Sequence, residues 1–185
     1  LKKVVDKISD NNDKNFKLMN KNLELFRCFN DGNYLFRELM LIHIEEEQII
    51  KFMKVYFSYL KDNNVNYVKE IKKSLNLREH RQNGLKEFVY TAVEEEYSLS
   101  FIDSVLEIVN KYIVADNKQI KYSDRVYDLF LDYTLPGKNL VYLYLQKAIN
   151  NNINISDDID KLSSMLKKYN VDISVPFFDS STALS

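Results

Sequence analysis

An all-α fold follows from three features of this chain. Only three of its 185 residues are Gly and two are Pro, so the residues that most often interrupt helices are nearly absent. Apolar side chains recur at three- and four-residue spacing through most of the length, the period of a helix with one buried face. The polar breaks between these segments are short, as at Asp31-Gly32, Lys61-Asp62-Asn63-Asn64 and Asp116-Asn117-Lys118. Short connections make consecutive helices antiparallel neighbours.

Taken in order, residues 1–14 are polar and read as a frayed terminus. A helix is predicted over 16–29, where Phe16, Met19, Leu23 and Phe26 share a face. The longest periodic segment, 34–60, reads as one helix with the stripe Leu35, Leu39, Ile42, Ile49, Met53, Tyr56 and Leu60. A short helix over 65–75 follows, then a polar connector to Gly84. Helices over 85–97 and 100–114 come next, and Ser123 suits the N-cap of another over 123–133. Leu135-Pro136-Gly137-Lys138 separates that one from a helix over 139–149. The last helix begins at Ser156-Asp157-Asp158, whose carboxylates complement its positive end. Residues 171–185, with Pro176-Phe177-Phe178, read as an extended tail.

The organisation predicted is therefore a single helical domain over 15–170 built from about eight short helices. Stacked antiparallel hairpins of the armadillo or HEAT kind are the favoured arrangement and a closed bundle the alternative. No strict internal repeat is visible.

Composition narrows the function. Hydrophobic residues are 45% of the chain, enough for a sizeable core, and 13% are aromatic. Charged residues reach 29%, yet the formal net charge is −1, which argues against a protein devoted to neutralising phosphates. The most basic stretch, Lys69, Lys72, Lys73, Arg78, Arg81 and Lys86, is interleaved with Glu70, Glu79 and Glu87, and intrahelical ion pairing accounts for it. A lone cysteine, Cys28, leaves no intramolecular disulfide and suits a reducing, cytoplasmic setting. No stretch approaches the ~20 apolar residues of a membrane span. No apolar leader follows Leu1, so the start does not read as a signal peptide, and the absence of a starting Met suggests a module of a larger protein or a processed chain.

Two groups of residues are candidates for function. His43 with Glu46 and Glu47, and Glu96 from a second acidic triplet, offer imidazole and carboxylates from two helices, the donor types of a metal-bearing bundle. The Glu-x-x-His pairing of such sites is missing, however. The bland account of helix ends and solvated faces is preferred, so no cofactor and no catalytic residue are expected. The second group is aromatic: Tyr122, Tyr127, Phe130, Tyr133, Tyr142 and Tyr144, with Phe177 and Phe178 in the tail. Tyr is favoured where one end of a side chain is packed and the other wet, as at an interface. These residues are assigned to partner binding, the partner being another protein or another region of a larger parent chain. The function expected is thus a non-enzymatic helical scaffold or interaction domain. A metal-binding helical-bundle enzyme, and a stand-alone viral or bacterial effector that binds a host protein, are the alternatives.

Between residues 88 and 138 the chain resembles the helical homology domain of inositol-trisphosphate receptors and ryanodine receptors. The resemblance rests on Phe88-Val89, on Phe101-Ile102-Asp103 with Val105-Leu106, on Asn117-Lys118 and Ile120, and on Leu135-Pro136-Gly137-Lys138. Ser123-Asp124 stands where the family often has Asn-Gln. The resemblance implies an armadillo-like module on the cytosolic side of a calcium-release channel, and it carries over no ligand-binding residue.

Overall fold

The computed structural model describes residues 2–10, 22, 26, 34–63, 66–75, 84–114, 140–151 and 156–169. Helix is the only regular structure among them, so the protein is all-α. In chain order the helices are α1 (Lys2–Asp10), α2 (Leu35–Leu41), α3 (Glu46–Asp62), α4 (Tyr67–Ser74), α5 (Gly84–Glu94), α6 (Leu99–Val109), α7 (Leu140–Asn151) and α8 (Ser156–Lys168). A π-helical turn, Asn110–Val114, extends α6. The predicted helix over 123–133 and the tail over 171–185 lie outside the described residues.

Two expectations fail at the amino-terminal end. Residues 2–10 are helical, because Val5 and Ile8, one turn apart, bury completely where α1 packs on α3. Tertiary burial outweighs a polar composition there. The segment 34–60 is two helices, since the chain turns at Ile42-His43-Ile44-Glu45. The stripe had already lapsed at this point: no apolar residue continues it between Ile42 and Ile49. Turning instead buries Ile44, which lies off the stripe, and leaves Ile42 exposed. Glu46 and Glu47 then fall in the first turn of α3, next to its positive end.

The turn is a Schellman cap. The Ile44 amide donates to the Leu39 carbonyl, and the His43 amide to that of Met40. Its left-handed position is taken by His43, with φ 51°. The same device closes α5. There Tyr97 donates to Ala92 and Glu96 to Val93, with Glu96 at φ 65°. In both turns the next residue, Ile44 or Tyr97, returns to the core, and the one after it leads into a new helix. Hairpins α2–α3 and α5–α6 therefore match position for position. They lie first helix on first and second on second, α2 packing on α5 and α3 on α6.

α3 holds this arrangement together, packing on α1, α4 and α6. Phe52, Met53, Tyr56, Phe57 and Leu60 are fully buried along it. Phe52 and Tyr56 stack with ring centres 5.8 Å apart, and Phe26 sits edge-on to both. Phe36 from α2 meets Phe57 edge-on at 5.6 Å. The π-helical turn carries Tyr112 edge-on to Phe57 at 5.6 Å, where its hydroxyl lies 2.6 Å from Ser58 Oγ.

The single domain predicted over 15–170 divides into two compact units, Leu1–Ile120 and Lys121–Ser185. The first holds both hairpins. In the second, α8 begins as predicted, with Asp157 and Asp158 at its start, Lys167 and Lys168 at its end, and Leu162 and Met165 buried. Among the described residues no helix is long and apolar enough to cross a membrane.

A residue other than Gly in the left-handed region costs about 1 kcal/mol. Replacing His43 or Glu96 with Gly is therefore expected to raise stability by up to about 1 kcal/mol in urea unfolding. A loss at either position would contradict the two capped turns.

Candidate functional site

The two acidic triplets fall in equivalent turns, so stacking the hairpins brings the turns together. Glu46, in the first turn of α3, reaches across to the start of α6. Its Oε1 accepts the Ser98 amide and its Oε2 accepts the Ser98 hydroxyl at 2.7 Å. The Ser98 hydroxyl oxygen in turn accepts the Phe101 amide at 3.1 Å, capping α6. One carboxylate thus fixes the orientation of the cap on the neighbouring helix. Below it, the Tyr97 hydroxyl donates to the Ile44 carbonyl at 2.7 Å, and its ring lies against Phe101 at 4.9 Å. The turn of one hairpin is in this way sealed by a side chain of the other.

The electrostatics fit a neutral phenol. Burial, and then the negative charges of Glu46, Glu95 and Glu45, push the Tyr97 hydroxyl up to about 12. His43 stands at the rim, largely exposed, with Nε2 3.7 Å from Glu95 Oε2. Glu47 points elsewhere: Lys51, one turn on, bonds its carboxylate at 2.7 Å and holds it below the usual range, first through that hydrogen bond and then through its charge.

The residues singled out for metal chemistry therefore have separate tasks. Glu46 clasps Ser98, Glu47 pairs with Lys51, His43 pairs with Glu95, and Glu96 occupies a left-handed turn. Among the described residues no three His, Cys, Asp or Glu side chains converge as a metal site would require. What the cluster does chemically is join two hairpins. Ser98 was the residue not picked out in the sequence. Its position two residues after an acidic triplet and one before an apolar run is the signature of an N-cap.

The aromatic candidates divide differently. Tyr122, Tyr127, Phe130, Tyr133, Phe177 and Phe178 lie outside the described residues. Tyr142 and Tyr144 are on opposite sides of α7: Tyr144 is buried at 7% exposure, while Tyr142 is 41% exposed. Tyr142 shares its side with Leu145, 41% exposed, and Ile149, 77% exposed. Gln146 and Asn150 complete that exposed arc, so it carries no charge. The one charged residue of α7, Lys147, is half-buried and lies at helical spacing from the buried Leu140 and Leu143. This reverses the ordinary distribution on a surface helix, where charge faces water. Leu145 and Ile149 are the residues that counting aromatics overlooks. The position of Lys147 was the available signal.

No family model matches the chain, and neither a curated protein nor a solved structure matches it. Of the residues that carry the resemblance to the calcium-release channels, Phe88, Val89, Phe101, Ile102, Val105 and Leu106 are buried in α5 and α6. Any packed helical hairpin needs apolar residues there. Asn117, Lys118, Ile120 and residues 135–138 lie outside the described residues.

Tyr97→Phe removes the donor to the Ile44 carbonyl and is expected to cost about 1–2 kcal/mol. It also changes the alkaline limb of stability. Folded Tyr97 keeps its proton to about 12, while the unfolded side chain releases it near 10. The fold then binds more protons than the unfolded chain, and stability falls as pH rises through that window. Denaturant titrations from pH 9 upward are expected to show a shallower decline in Tyr97→Phe than in the wild type; equal declines would contradict the assignment.

Proposed function

We propose that this chain is a non-enzymatic helical scaffold that binds another protein through the exposed face of α7. The uncharged arc of Tyr142, Leu145 and Ile149, opposite a half-buried Lys147, carries the reading. A helix whose outer face stays in water gains nothing from exposing Leu145 and Ile149. A helix whose outer face is covered by a partner does gain, because burial of that face is favourable at roughly 25 cal/mol per Å². The stacked hairpins of the first unit suit the same role, as a rigid body whose polar residues act in caps and clasps. The acidic turns would contribute orientation and encounter rate toward a cationic surface more than affinity.

The test pairs capture with a folding control. The wild-type chain and a Leu145→Asp, Ile149→Asp variant are immobilised at equal density and exposed to lysate of the source cells. The variant is expected to keep its helical circular dichroism and to lose at least about tenfold of the specifically retained protein, as when central apolar contacts of an interface are removed. Equal retention by a folded variant would overturn the assignment of this face.

A further inference from the structure

We draw no further inference here: the strongest candidate, the cluster of carboxylates where the α2–α3 and α5–α6 turns meet, whose Glu46, Glu95 and Glu45 charges act on the Tyr97 hydroxyl, belongs to the clasp already described, and no second observation among the described residues points to a ligand there.

Discussion

The Tyr97 hydroxyl bonded to the Ile44 carbonyl, roofed by the Glu46–Ser98 clasp, is the contact on which the first unit depends. Each hairpin has a Schellman turn with a non-glycine residue in the left-handed region, a conformation that needs support. The support comes from the other hairpin: Tyr97 caps a carbonyl of the first turn, and Glu46 fixes the helix start that follows the second. Once the turns are joined, α2 lies on α5 and α3 on α6. The aromatic row of Phe52, Tyr56 and Phe57 then fills the space between α3 and its neighbours. Turn geometry, helix register and core packing reinforce one another, which is the condition for a single well-defined fold.

The helical class was legible because so little of the sequence opposes helix. The start of α8 was legible too, from the carboxylates of Asp157 and Asp158 at the positive end of the helix. The break between α2 and α3 was not. Such a stop is ordinarily announced by Gly at the left-handed position, and here the positions belong to His43 and Glu96. Ile44 betrays the turn only by lying off the Leu35–Leu39 stripe, and a single off-stripe residue is easily absorbed by a helical pattern. α1 was hidden for another reason: among its described side chains Val5 and Ile8 are the fully buried ones, and the helix packs on α3, far along the chain.

The candidate site shows the same division between local and non-local information. Two Glu triplets stand out in the sequence, and their clustering with His43 suggested ligands. Their tasks became visible only when the turns met, because a clasp between residues some fifty positions apart leaves no local signature. Residues chosen for potential chemistry are here bound up in holding the architecture. On α7 the informative residues were not the most conspicuous ones. Tyr144 is a core residue, while Leu145 and Ile149 extend the exposed face begun by Tyr142. The half-buried Lys147 marks that face from behind.

Native-state hydrogen exchange tests most directly whether the joined turns make the two hairpins one cooperative body. The amides of Phe52 and Tyr56 in α3 and of Ile102 and Leu106 in α6 are predicted to open with one common free energy, that of global unfolding of the first unit. If the amides of α5 and α6 instead open at a distinctly lower free energy than those of α3, the hairpins are separate bodies and the Tyr97 and Glu46 contacts do not unite them.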